Sequence, residues 1–179
     1  MLRERVCNVI LIGVVLAGAA VVTSAAGTTG TLTVNGKKTV LTTAVAFSYP
    51  SVTGPGKNIS VLISDKAPQD KVFRELMMIG PGEKLVPGLF EGAWRSMHDE
   101  KAFEGLSFTF GPDKRLLTYD VLVGGRDKFF SLSTYDLTVD LKAFGPRISG
   151  TIRTSSPVEA PGITCAFEVT FDAAVVDFK

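Results

Sequence analysis

The run Ile163-Thr164-Cys165-Ala166-Phe167-Glu168-Val169-Thr170-Phe171-Asp172-Ala173-Ala174-Val175 alternates without a break, with every odd position apolar and Thr, Ala, Glu, Thr, Asp and Ala at the even ones. Because side chains in an extended chain repeat every two residues, one face of this run can be buried while the other is wetted or lightly covered. It predicts a long β-strand. A strand cannot satisfy its own backbone donors and acceptors, so neighbours of similar length are required on at least one side.

The rest of the chain supplies them. Thr31 to Val34 meets Asn35-Gly36 and runs on through Lys37-Lys38 into Thr39 to Tyr49. Asn-Gly between alternating segments predicts a type I′ hairpin, since both central residues need positive φ. The two-residue loop sets Val34 opposite Lys37 and Leu32 opposite Thr39, which predicts Leu32, Val34, Leu41, Val45 and Phe47 on one face. A third strand is expected with Ile59, Val61 and Ile63 on one side. From Phe103 onward the pattern is again that of strands. Leu106, Phe108 and Phe110 lead to Gly111-Pro112, and Leu117, Tyr119, Val121 and Val123 lead to Gly124-Gly125. Tyr135 to Ala143 turns at Gly145-Pro146 and returns through Ile148, Gly150 and Ile152. Gly150 inside a strand predicts a bulge or the close approach of another backbone. A loop from Ser155 to Gly162 leads to the final strand.

Between the third and fourth strands the period changes. Val72, Phe73, Leu76, Met77 and Ile79 recur at helical spacing, and after a Pro/Gly break so do Leu89, Phe90, Ala93, Trp94 and Met97. The expected fold is therefore mainly β: an antiparallel β-sandwich or partly closed barrel of about eight strands, with a helical insertion over 65–100. A parallel α/β sheet is excluded, because its strands would be almost wholly apolar.

The N-terminus has its own signature. Met1-Leu2-Arg3-Glu4-Arg5 precedes an apolar run from Val6 to Val22, then small residues at Ser24 and Ala26, the three parts of a secretory signal peptide. Cleavage after Ala26 is expected, leaving 27–179 as a single β-rich domain, secreted or periplasmic, with no integral membrane span. An uncleaved signal anchor is the alternative. Of 19 basic and 18 acidic residues, Arg3, Arg5 and Glu4 leave with the signal, so 17 of each remain. A neutral chain without a basic cluster gives no footprint for nucleic acid. Cys7 leaves too, and Cys165 then has no partner within the chain, so no intramolecular disulfide forms; its place in the final strand predicts a small buried apolar residue.

Chemistry is sparse. His98 is the only histidine, and no Gly-x-Ser-x-Gly elbow, phosphate cradle or calcium loop is present. One His and one buried Cys do not make a self-contained zinc site, and Asp113, Asp127, Asp136 and Asp140 fall in no Asp-x-Asp-x-Asp-Gly pattern. No metal or cofactor is expected. Glu168 and Asp172 share one strand face, where dressing a solvent surface is their expected role rather than paired acid-base work. On the insertion, Trp94 and His98 share a helix face with Arg95 nearby, so these three are the candidate contact residues. The resulting expectation is an exported, bacterial-type, non-enzymatic module that binds a protein or envelope component. Two alternatives stand beside it: a carrier of lipid or another small apolar ligand in a barrel-like cavity, and a hydrolase using His98.

Overall fold

A computed structural model describes residues 27–51, 54–67, 103–123, 129–132 and 136–177, and strands account for 73% of them. The expected signal segment and the expected insertion from 68 onward lie outside the described residues. β1 (Thr29–Val34) and β2 (Lys37–Leu41) form a hairpin. β3 (Thr43–Pro50), β4 (Lys57–Ser64), β5 (Gly105–Phe110), β6 (Leu116–Leu122) and β7 (Phe129–Leu132) follow as successive antiparallel neighbours. β8 (Leu137–Phe144) and β9 (Arg147–Thr154) make a second hairpin, and the short β10 (Val158–Ala160) leads into β11 (Ile163–Asp177).

All eleven belong to one curled, open sheet, a half-barrel. β11 joins its two wings. Its first part pairs with β1 on one edge, from Val34↔Cys165 to Thr29↔Thr170, and with β10 and β9 on the other. Its last residues, Val175 to Asp177, run parallel to Ala46 to Ser48 of β3. The first wing is thus β2-β1-β11-β9-β8 and the second is β3 to β7. A sandwich would need two separate sheets, whereas pairing here is continuous through β11. Only a strand this long can serve both wings, and the alternation from Ile163 to Ala173 buries its odd positions as expected.

The inner faces of the wings meet through aromatic rings. Phe167 of β11 lies 5.9 Å from Phe108 and 6.0 Å from Tyr119 between ring centres, both edge-on, and Phe110 meets Phe144 edge-on at 6.5 Å. Offset and edge-on contacts suit the ring quadrupole, and each buried ring also removes a large apolar area from water.

The hairpin forms as expected. Asn35 and Gly36 have φ of 47° and 81°, and Val34 and Leu32 face Lys37 and Thr39. Asn35 also fastens this turn to the start of β11: its Nδ2 donates to the Gly162 carbonyl at 3.2 Å and its Oδ1 accepts from Thr164 N at 2.7 Å. Gly150 shows both expected features. β8 bulges between Leu141 and Ala143 beside it, and a Cβ on Gly150 would lie 2.3 Å from the Asp140 carbonyl oxygen.

Three expectations are corrected. The strand drawn from Thr39 to Tyr49 is broken at Thr42, whose N–H donates to the Ser64 carbonyl and whose hydroxyl donates to that of Asp65. The break shifts the phase by one residue. Ala44 and Ala46 join Leu32 and Leu41 in the core, while Val45 and Phe47 are buried on the opposite face. Leu117 does not share the inner face with Tyr119 either. The register slips so that Phe110 faces Leu116, and Leu117 is left 46% exposed. β7, a stretch with no strand assigned from the sequence, and β10, inside the expected loop, are short strands; with the split at Thr42 they raise eight strands to eleven among the described residues.

On either side of residues 68–102 the chain is clasped together: Asp65 N donates to the Glu104 carbonyl at 3.0 Å, and Glu104 N donates to Asp65 Oδ1 at 2.8 Å. Among the described residues no helix is long and apolar enough to cross a membrane.

Candidate functional site

Two Phe-Gly-Pro triplets, at Phe110-Gly111-Pro112 and Phe144-Gly145-Pro146, end β5 and β8. Curling of the sheet brings them to the same end of the molecule, where the two phenylalanines touch and the two prolines help line an open cleft of about 540 Å³. Ile59, Phe144 and Val175 complete its apolar surface, and Ser48, Lys57 and Asp177 form its polar side. Val175 N donates to the Pro146 carbonyl at 2.9 Å, and Ser51 N to that of Gly56 at 3.0 Å, so the turns around the cleft are held by main-chain bonds. Proline adds rigidity by fixing φ.

At the polar side Asp177 Oδ1 accepts from Ser48 Oγ at 2.7 Å and pairs with Lys57 Nζ. This pair is formally neutral, so among the described residues the cleft lining carries no net charge. Nor does it form a nucleophile with its base. The Ser48 hydroxyl donates to a carboxylate already engaged by a cationic ammonium, and a protonated lysine cannot accept the serine proton. What the surface can do is receive an apolar group and hydrogen-bond a polar one beside it.

A smaller cleft of about 310 Å³ lies between β1, β2 and Phe130. Its polar wall is Glu104, which accepts from Lys37 Nζ at 2.8 Å and Thr39 Oγ1 at 2.7 Å. This carboxylate also ties the edge strand β2 to the segment entering β5.

Trp94, Arg95 and His98, the candidates from the sequence, lie outside the described residues. Asp172 is held by Arg147 Nη2 at 2.7 Å on the exposed face of β11, four residues from the exposed Glu168. Asp113 accepts from Arg115 N within its own turn. Among the described residues, no three His, Cys, Asp or Glu side chains converge on one point.

Cys165 is buried and unpaired, and burial pushes its thiol pKa up, so it sits in the core as the neutral form. Tyr119 lies with it. Among the described residues its buried hydroxyl has no hydrogen-bond partner, and burial first, then the nearby Cys165 and Asp136, hold the phenol well above its usual range.

The cleft went unseen in the sequence because each Gly-Pro was legible only as a turn. The repeated Phe before it was the available signal, and only the curl shows that the two triplets meet. In comparisons with known proteins the chain matches no family model, no curated protein and no solved structure.

Proposed function

We propose that the protein is an exported, non-enzymatic β module that binds a macromolecular partner at the cell envelope or outside the cell, with the Phe-Gly-Pro cleft as its contact surface. The observation that carries this reading is the cleft itself: apolar, held by main-chain hydrogen bonds and two prolines, and neutral in charge among the described residues. A preformed apolar recess with a few polar groups on one side suits an inserted side chain of a partner, since little ordering entropy is lost on binding. Export rests on the signal-like residues 1–26.

A second reading is favoured by the cleft's volume, which falls in the range that accepts a small apolar ligand. In this form the carrier needs no barrel-like cavity. At Phe108, Tyr119 and Phe167 the space between the wings is filled by the rings themselves, so a ligand would sit in the cleft. The hydrolase alternative rests on His98 alone, and nothing among the described residues adds to it.

Photo-crosslinking in the native host separates these readings. A photoreactive residue at Pro112 or Pro146 is expected to yield adducts of protein or polymer size, and the same residue at Thr170, on the exposed face of β11, none. Small-molecule adducts alone would favour the carrier. Adducts equally abundant from Thr170, or none from either proline position, would overturn the cleft as the contact.

A further inference from the structure

Among the described residues β8 pairs only with β9, and beside its other edge a groove of about 430 Å³ opens, lined by Lys114, Arg115, Leu116, Val139 and Leu141. Ser155 N donates to the Asp136 carbonyl, with the two residues opposite each other in the β8–β9 register. Antiparallel pairs alternate in hydrogen bonding, so Asp136, Thr138 and Asp140 turn their backbone groups toward β9 while Leu137, Val139 and Leu141 turn theirs outward. The same three side chains are the half-buried apolar positions of the inner face, and Asp136, Thr138, Asp140 and Lys142 are exposed on the outer one. Neither aspartate nor Lys142 makes an ion pair among the described residues.

We propose that this edge pairs with the β8 edge of a second copy of the same chain, antiparallel and two-fold symmetric about Val139. This register satisfies both main-chain pairing and charge. It sets Val139 opposite Val139 of the second copy and Leu137 opposite its Leu141, so every outward-facing N–H and C=O from Leu137 to Leu141 meets a counterpart, each such pair exchanging two main-chain bonds. On the exposed face it sets Thr138 opposite Asp140 of the second copy and brings Asp136 near its Lys142, the residue at the bulge, twice over by symmetry. A centre at Asp140 would oppose two aspartates and one at Lys142 two lysines, both unfavourable. A centre at Leu141 would run the ladder into the bulge between Leu141 and Ala143. That bulge limits the length of the ladder, and because the two-fold pairing uses the same edge of both copies, the interface closes as a dimer. The β2 edge of the same wing is guarded differently. β2 carries Lys37 and Lys38, and Glu104 ties down Lys37 and Thr39.

Sedimentation equilibrium of the purified full chain over a wide concentration range tests this. The expected mass is twice that of the monomer and falls toward monomer on dilution. Val139→Pro deletes an outward N–H and leaves the β9 ladder intact, so it should give monomer throughout, with a melting temperature close to that of the wild type measured at concentrations too low for association. Lys142→Asp should weaken association by about tenfold or more, and adding Asp136→Lys to the same chain should restore it. The charge pair decides the matter if the proline variant fails to fold. Monomer at every concentration overturns the proposal and leaves the edge to a strand of another protein. A dimer indifferent to both Val139→Pro and Lys142→Asp overturns it by showing that another surface is used.

Discussion

Thr151 and Thr170 share a hydroxyl hydrogen bond of 3.0 Å on the outer face of the first wing, and Ser60 and Thr109 share one of 3.0 Å on the outer face of the second. The first pair is exposed and the second is buried, Ser60 completely. The same local chemistry therefore sits in opposite surroundings. Around Thr170 the outer face carries Arg153, Glu168 and Asp172, with Asp140 at its edge. Around Ser60 it carries Thr43, Val45, Phe47, Tyr49, Leu62, Ser64 and Ser107, all buried. Alternation in a sequence shows that one face of a strand is apolar; it does not show that the other face is wet. The better sign is charge. β3 to β5 place no ionised side chain in the interior of this outer face, and the buried Asp120 enters only at β6, whereas the first wing uses every kind of charged residue.

Substitutions at matched positions can break or sharpen that contrast. The largest effect is expected where the wings meet. Phe167→Ala empties the contact with Phe108 and Tyr119 and should cost about 3–5 kcal/mol in denaturant unfolding, while Glu168→Ala next to it should change stability by less than about 0.5 kcal/mol. A comparable loss at both positions would mean that β11 is not two-sided. Next is Gly150→Ala, where the new Cβ must push back the Asp140 carbonyl. A loss of about 1–3 kcal/mol is expected, with faster amide exchange in β8 and β9.

The hydroxyl pairs come third. Ser60→Ala strips a buried partner from both Tyr49 and Thr109 and should cost about 1–3 kcal/mol, against less than about 0.5 kcal/mol for Thr170→Ala, whose partner turns to water. Equal costs would remove the distinction between the wings. Smallest is Tyr119→Phe, which deletes a buried hydroxyl with no partner among the described residues and should stabilise by about 1 kcal/mol. The same change bears on pH. For Tyr119 and Cys165 the folded state favours the neutral acid, so the unfolded chain loses protons first. Stability is then level below their ordinary values, 10.0 and 9.0, and falls as pH rises through them. Tyr119→Phe should reduce that alkaline loss, and Cys165→Ala should remove its lower part.

Much of this fold is legible in the chain. Asn35-Gly36 fixes a turn and with it a register, β11 announces itself by unbroken alternation, and Gly150 marks a close approach that only a missing Cβ allows. Less legible is the break at Thr42, because Thr is at home in a strand and both Leu41 and Val45 can be buried on either side of it. The slip that exposes Leu117 depends on the partner strand, as does the parallel pairing of β11 with β3, and no local pattern encodes either. The cleft is hidden for the same reason: its two triplets lie far apart in sequence and meet only through the curl. Trp94, Arg95 and His98 lie outside the described residues, and the candidate surface now rests on Pro112, Phe144, Pro146 and Val175 instead.

Residue-resolved amide hydrogen exchange measures the two wings in one experiment. The account predicts the slowest exchange in β3, β4, β5 and the middle of β11, where both faces or both edges are covered, and fast exchange at Val139 and Leu141 on the open edge of β8 at concentrations too low for self-association. Protection of β8 equal to that of β4 under those conditions, or rapid exchange through β4 and β5, would contradict it.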